Sequence, residues 1–331
     1  MENILSYLEN NQLAKLKEVL IEENPVDIAE LFEDLPKDQC LKLFRILPKD
    51  LAAETFSYLS SEKQQEIVEN ITDEEIKHII NEMFIDDTVD FIEEMPANIV
   101  DKILQNTSPD TRKLINQFLK YPENSAGSVM TVEYVSLKSD MNIGQALNHI
   151  KKVGINNETI DICYVIDNQR KLVGFISLKS LIFLDDIIPL VDAMETNVIS
   201  ATTTDDQEVI ASLFRKYDLT SMPVVDIEGR LVGIITIDDV VDVIDQENTE
   251  DFQKMAAMNP SDEEYLKESV FSLAKHRIVW LLVLMISATA TGTIIRRYEE
   301  VLQSVVILAA FIPMLMAVSY THLRAHETDS Y

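Results

Sequence analysis

A helix break recurs about every twelve residues along the first third of this chain, a spacing that few folds accommodate. The breakers or caps are Pro36, Pro48, Ser60, Thr72, Pro96 and Ser108. Between them apolar residues fall at i, i+3 and i+4: Leu41, Phe44 and Leu47, then Leu51, Phe56 and Leu59, then Ile76, Ile79, Ile80 and Met83. Helices of about nine residues are too short to persist alone in water. They have to bury their apolar sides on one another, as the repeats of a helical solenoid do. Ser61-x-x-Gln64 and Thr72-x-x-Glu75 have the form of capping boxes, which predicts where two of the helices start.

The pattern changes after a linker, Tyr121-Pro-Glu-Asn-Ser-Ala-Gly127. Cys163 to Asp167 reads as a buried strand, Asn168 to Lys171 as a turn, and Leu172 to Ser177 as a second strand. The unit returns fifty-nine residues on, as Met222 to Asp226, Ile227 to Arg230 and Leu231 to Thr236, with Gly174 falling on Gly233 and Ser177 on Thr236. Helices at 143–152 and 207–217 precede the two hairpins. Two β-α-β-β-α copies pack as a pseudo-symmetric pair in which each covers the other's apolar sheet face, which places the tandem at about Met130 to Ile244.

Beyond the tandem, Asp238-Asp239-Val-Val-Asp242-Val-Ile-Asp245-Gln-Glu247-Asn-Thr-Glu250-Asp251 holds seven carboxylates in fourteen residues and no base. A helix continuing from Ile237 past Glu247 puts Asp238, Asp242 and Asp245 on one face, where like charges repel. A hard divalent cation reverses the sign of that interaction. Magnesium or calcium, which take oxygen ligands, are the natural candidates, and zinc is not, for lack of Cys/His clustering. The net charge of −29 also has a plainer reading as solubility, and it argues against nucleic acid, whose phosphates need Lys and Arg.

Cys40 and Cys163 stand in no ligand spacing, consistent with a reducing cytosol. No Walker A, GxGxxG or HExxH motif occurs and no nucleophile–base pair is visible, so an enzyme is not expected. Met1-Glu-Asn-Ile-Leu is acidic where a signal peptide is basic, so the first ~275 residues are expected on the cytoplasmic side. Pro260 interrupts the acidic helix, and Ser261-Asp-Glu-Glu264 is a capping box that restarts it toward Lys275. Ile278 to Ile295 is then free of charge, with Trp280 near one end and Lys275, Arg277, Arg296 and Arg297 flanking it. At 1.5 Å per residue such a run reaches about 27 Å, enough for a bilayer core. Val301 to Val318 is a second charge-free run, joined to the first by Arg-Arg-Tyr-Glu-Glu, which predicts a membrane hairpin.

The tandem resembles a pair of CBS domains, through the glycine-bearing strand-turn-strand and the Ser/Thr-x-x-Asp that follows it. The second copy has Thr236-x-x-Asp239; the first has Ser177-x-x-Ser180, without the acid. That resemblance implies either ATP or a related nucleotide, with Lys179, Thr236 and Asp239 as candidate contacts, or a dimerisation scaffold without nucleotide.

From about residue 25 to 318 the chain resembles the MgtE-type magnesium transporters and channels. The runs that carry this are Tyr121-Pro-Glu-Asn-Ser-Ala-Gly-Ser-Val-Met-Thr131, Asp205-Asp-Gln-Glu208, Tyr217-Asp218, Gly233-Ile-Ile-Thr-Ile-Asp-Asp-Val-Val-Asp-Val243 and Thr249-Glu-Asp-Phe-Gln-Lys-Met255. The resemblance implies a multidomain chain. An all-α helical solenoid N domain occupies 1–125, and an α/β tandem CBS pair occupies 126–247, divided at about 130–190 and 191–247. A connecting plug helix at 248–276 leads to transmembrane α-helices at 277–319, and 320–331 is a tail outside the pattern.

The same resemblance implies a homodimer through the CBS pair and membrane helices, in the plasma membrane, with its N-terminal domains cytoplasmic. It implies Mg²⁺ bound by cytosolic carboxylates, closing a pore when intracellular Mg²⁺ is high. The residues in matching positions are Glu208, Asp218, Asp239, Asp242, Glu247, Glu250 and Asp251, with Glu54, Asp86 and Asp90 in the N domain. The family's later pore segments have no counterpart, so this chain is expected to be a regulatory region with two membrane helices that does not conduct by itself. The alternative is a membrane-anchored CBS sensor that responds to an adenosine nucleotide and controls a partner.

Overall fold

The computed structural model describes residues 7, 8, 10, 12–255, 270–298 and 311. The chain divides into two compact units, Met1–Ile244 and Asp245–Tyr331.

In the first unit the twelve-residue period runs without a gap. Gln12, Asn24, Pro36, Pro48, Ser60, Thr72, Phe84, Pro96 and Ser108 are the N-caps of α1 (Leu13–Glu22), α2 (Pro25–Glu33), α3 (Lys37–Ile46), α4 (Lys49–Ser57), α5 (Ser61–Asn70), α6 (Asp73–Glu82), α7 (Ile85–Glu93), α8 (Ala97–Asn106) and α9 (Pro109–Phe118). Phe84 falls in step although its side chain makes no cap. There the break is set by the packing of its neighbours rather than by local chemistry.

Alternate helices pack on one another, α2 on α4, α4 on α6, α6 on α8, α3 on α5 and α7 on α9, and α5 also packs on α8. Side chains from three helices further on satisfy orphan groups at helix ends. Lys63 Nζ donates to the Leu35 carbonyl at 2.8 Å, and Lys102 Nζ donates to that of Val68 at 2.8 Å. Phe32, Phe44, Phe56 and Phe91 form an edge-to-face row through the core, with centroids 5.1 to 6.5 Å apart.

The Thr72 capping box forms: the Glu75 N–H donates to Thr72 Oγ1 at 3.3 Å, and the Thr72 N–H donates to Glu75 Oε2 at 2.7 Å. The Ser61–Gln64 box does not. Ser60 is the cap, accepting from the Lys63 N–H, and Gln64 turns inward so that Nε2 donates to the Phe56 carbonyl at 2.9 Å. A buried carbonyl in need of a donor outweighs a local cap.

A short helix, α10 (Ala126–Val129), leads into the tandem. Its first sheet joins β1 (Tyr134–Lys138) parallel to β2 (Thr159–Ile166) and β2 antiparallel to β3 (Leu172–Ser177). The second joins β4 (Ala201–Thr202), β5 (Ser221–Val225) and β6 (Leu231–Thr236) in the same senses. The fifty-nine-residue offset holds in register: Cys163 faces Ile176 as Met222 faces Ile235, and Val165 faces Gly174 as Val224 faces Gly233. Helices α11 (Ile143–Val153) and α14 (Gln207–Tyr217) precede the hairpins, α12 (Leu178–Phe183) and α15 (Ile237–Met255) follow them, and a short α13 (Leu190–Ala193) lies between α12 and β4.

Tyr164, Leu231 and Ile234 are buried between the copies, with Phe175 and Leu172 packed on them. The two hairpin turns pair reciprocally, the Leu172 N–H donating to the Gly229 carbonyl and the Leu231 N–H to that of Arg170. A separate apolar cluster runs from the solenoid into the second copy, taking in Phe214, Met222 and Val240. The helical solenoid and the second copy of the tandem therefore share a core.

In α15, Asp238, Asp242 and Asp245 are all exposed, as their spacing predicts. The helix crosses the division between the units. The second unit also holds a helix at Val270–Arg297. Its described large apolar side chains are exposed, among them Leu281, Leu284 and Ile286. Among the described residues no helix is long and apolar enough to cross a membrane. The side chains of Val279 and Trp280, the restart at 261–264, nearly all of the 301–318 run and the 320–331 tail lie outside the described residues.

Candidate metal centre

Two helices open with the same words. Ile85-Asp86-Asp87-Thr88-Val89-Asp90 begins α7, and Ile237-Asp238-Asp239-Val240-Val241-Asp242 begins α15. An acidic residue in a first helical turn gains from the helix dipole, so each segment is locally sound. The fold brings the two together.

Asp86, Asp239 and Glu158 each offer a carboxylate oxygen, and the three oxygens lie within 4.8 Å of one another. Asp86 is only 8% exposed, and its Oδ1 is buried with no hydrogen-bond partner. Glu158 Oε2 is likewise buried and unpartnered. The Thr236 hydroxyl lies 2.9 Å from Glu158 Oε1 and 2.7 Å from Asp239 Oδ2. It has one proton, so it donates to one of these carboxylates at a time.

Burial and mutual repulsion drive the group toward protonation. Burial, with Asp87, Asp239 and Glu158, pushes Asp86 well above the usual carboxylate range. Burial, then Asp239, pushes Glu158 up to about 7 against the Thr236 hydrogen bond. Burial raises Asp239 to about 6. Burial, with Asp238 and Glu133, raises Asp87 to about 6. Asp90, at the solvent edge, is pushed the same way by partial burial and by Asp87. Among the described residues no lysine or arginine pairs with Asp86, Glu158 or Asp239. An all-oxygen, all-anionic set with orphaned buried atoms fits a hard divalent cation.

The other predicted ligands are placed differently. Partial burial, with the charges of Glu54, Asp87, Asp238 and Asp242, holds the Tyr58 hydroxyl above its ordinary pKa. Glu208 is exposed in the first turn of α14, and Asp218 is exposed at its C-cap, in the left-handed region at φ 51°. Glu247, Glu250 and Asp251 belong to the second unit, where Glu250 takes an ion pair from Lys254 at 2.6 Å. Among the described residues, none of these joins a group of three potential ligands. Asp50, His78 and Glu82 form the other such group, but Asp50 is 90% exposed and the spacings of 4.0 and 3.9 Å are those of a solvated ion pair.

Of the nucleotide candidates, Thr236 and Asp239 belong to the acidic cluster and Lys179 is exposed in the first turn of α12. In the first copy Ser177 caps α12, accepting from the Ser180 N–H at 3.1 Å. The sequence reading passed over Glu158. It stands alone before β2, and no repeat or spacing marks it. The duplicated Ile-Asp-Asp-x-Val-Asp was the available signal for Asp86 and Asp239.

A helical solenoid sharing a core with a tandem of β-α-β-β-α units, with buried carboxylates at the junction, defines a solenoid-plus-tandem class of multidomain protein. The MgtE intracellular N domain matches residues 23–124, and CBS domains match 126–186 and 190–246. The chain is 30% identical to the magnesium transporter MgtE of Bacillus subtilis, over 94% of this chain and 69% of that protein. It is 38% identical to the magnesium transporter MgtE of Thermus thermophilus, over 63% of this chain and 46% of that protein. The matched part thus spans about half the length of the Thermus protein. The cytosolic domain of the Mg²⁺ channel MgtE, solved in complex with ATP, is 34% identical with a TM-score of 0.70, covering 72% of this chain and 98% of that one. The chain belongs to the MgtE magnesium transporter family.

Proposed function

We propose that this chain is the Mg²⁺-sensing regulatory region, with the first membrane helices, of a magnesium channel or transporter that closes when intracellular Mg²⁺ is high. The observation that carries the reading is Asp86, a buried carboxylate of the N domain held against Asp239 of the second CBS copy with an oxygen that nothing donates to. Asp86 and Asp239 would hold the ion, which supplies the positive charge that this junction lacks. Without it, their repulsion favours separation of the N domain from the CBS pair. With it, the two stay docked. Glu54, Asp90 and Asp242 line the same acidic region, and Glu208, Asp218, Glu247, Glu250 and Asp251 are proposed as further, more exposed ligands.

The reading includes a membrane hairpin at 277–319, a homodimer, and a plasma-membrane location with the N domain cytoplasmic. The charge-free run at 278–295 and the exposed Leu281, Leu284 and Ile286 support the membrane part. Limited proteolysis of the full chain in detergent, across a Mg²⁺ series at fixed ionic strength, tests the sensor. Protection is expected only with Mg²⁺ and is expected to lose its Mg²⁺ dependence in D86N and D239N. Identical digestion with and without Mg²⁺ would overturn the reading.

A nucleotide-responsive CBS pair is the second reading, favoured by the ATP in the related cytosolic structure. ATP engaging Thr236 and Asp239 has to compete with the contacts of the Thr236 hydroxyl to Glu158 and Asp239. ATP binding in EDTA with no response to Mg²⁺ would favour this second reading.

A further inference from the structure

We infer that Glu158 is a third ligand of the cation held by Asp86 and Asp239, so that one ion ties the N domain to both CBS copies. This rests on the proposed Asp86–Asp239 site and adds a residue from a third element. Asp86 comes from α7, Asp239 from α15 of the second copy, and Glu158 from the turn between α11 and β2 of the first copy.

Glu158 is held in place at three points. Its backbone N–H donates to the Glu133 carbonyl at 3.0 Å. The preceding Asn157 is pinned by its side chain, which donates to the Val153 carbonyl at 2.7 Å. Oε1 lies within reach of the Thr236 hydroxyl, and Oε2 is buried with no hydrogen-bond partner. Asp86, itself only 8% exposed, has a buried unpartnered oxygen of its own, and one oxygen from each of Asp86, Glu158 and Asp239 lies within 4.8 Å of the others.

An octahedral ion with oxygens near 2.1 Å sets neighbouring ligands roughly 3 Å apart and opposite ones roughly 4 Å apart. Three oxygens within 4.8 Å of one another therefore need only a small side-chain adjustment to enter one coordination sphere. Three carboxylates with no basic partner select a divalent ion over a monovalent one by charge, and oxygen donors select a hard ion over zinc.

The test uses the full chain in detergent at pH 8 with Mn²⁺ as the probe, a hard divalent ion whose free and bound forms are separated by electron paramagnetic resonance. Wild type, D86N, E158Q and the double variant are titrated. Glutamine keeps the oxygen that accepts from Thr236. D86N is expected to lose one Mn²⁺ site, E158Q to weaken that site at least tenfold, and the double variant to match D86N.

E158Q binding like wild type while D86N loses the site would overturn the role of Glu158 and leave the Asp86–Asp239 site standing. D86N binding like wild type would overturn both. E158D is the second variant should E158Q not fold. A site weakened several-fold supports the ligand role, and an unchanged site overturns it.

Discussion

Replacing Asp86 by asparagine removes a buried charge at almost constant shape, and its effect should change sign with the conditions. Two carboxylates at about 5 Å repel by roughly 3 kcal/mol at an effective dielectric constant near 20. Asp86 faces two such partners, Glu158 and Asp239, themselves raised to about 7 and about 6. At pH 8 and without divalent ions, relief of this repulsion should stabilise the docked state in D86N by about 2–3 kcal/mol. As pH falls, wild-type Asp86 takes up its proton earlier than an ordinary carboxylate, because burial and its acidic neighbours raise its pKa, so the difference between the two proteins should shrink toward zero.

Mg²⁺ at a hundredfold over its dissociation constant adds about 2.7 kcal/mol to whatever state binds it. Wild type should gain this and D86N should not, so the difference at pH 8 closes and then reverses as Mg²⁺ rises. Amide hydrogen exchange across residues 85–93, corrected for intrinsic rates, reports the docking locally. Faster exchange in D86N than in wild type at pH 8 without Mg²⁺, with an equal response of both to Mg²⁺, would refute the reasoning. Asp86 would then be an ordinary buried acid whose carboxylate helps the fold.

Metal-free wild type should itself lose docking as pH rises. Asp87, Glu158 and Asp239 have folded values near 6, 7 and 6 against ordinary values of 3.8 and 4.5, so the docked state takes up protons. Its stability is full below about pH 4 and falls as pH passes through 6 and 7, and exchange over 85–93 that slows across this range would contradict this. Tyr164→Phe removes a 2.8 Å hydrogen bond to Ser221 between the two copies and should cost about 1 kcal/mol in urea unfolding. Gly233→Ala would place a Cβ 2.7 Å from the Thr131 carbonyl oxygen and should cost about 2 kcal/mol or more, whereas Gly229→Ala, with open space but φ +77°, should cost about 1 kcal/mol by the same measurement. Ile286→Asp tests the membrane proposal. A lipid-facing position loses about 3 kcal/mol of insertion free energy and should release the chain in carbonate extraction, while a water-exposed helix should be unaffected.

Much of the architecture was legible because it is written in local periods. The breaks at Pro36, Pro48, Ser60, Thr72, Pro96 and Ser108 are helix N-caps, and Leu172 to Ser177, Gln207 to Tyr217 and Leu231 to Thr236 form elements with those bounds to the residue. What failed locally failed where a distant group intervened, as when Gln64 gave up a cap for the Phe56 carbonyl.

The acidic helix from Ile237, the repeated CBS unit and the solenoid are properties of the sequence alone, since each follows from residue spacing along one segment. That Asp86 and Asp239 belong together was implied only by family resemblance, and Glu158 was not signalled at all. Asp86 is separated from Asp239 by the last part of the N domain and nearly all of the tandem, Glu158 lies between them, and nothing in their local chemistry refers to one another. The tertiary structure decided the site, because only the core shared between the solenoid and the second CBS copy brings the two helix N-termini face to face. Repulsion between carboxylates depends on distance in space, and a sequence records only distance along the chain.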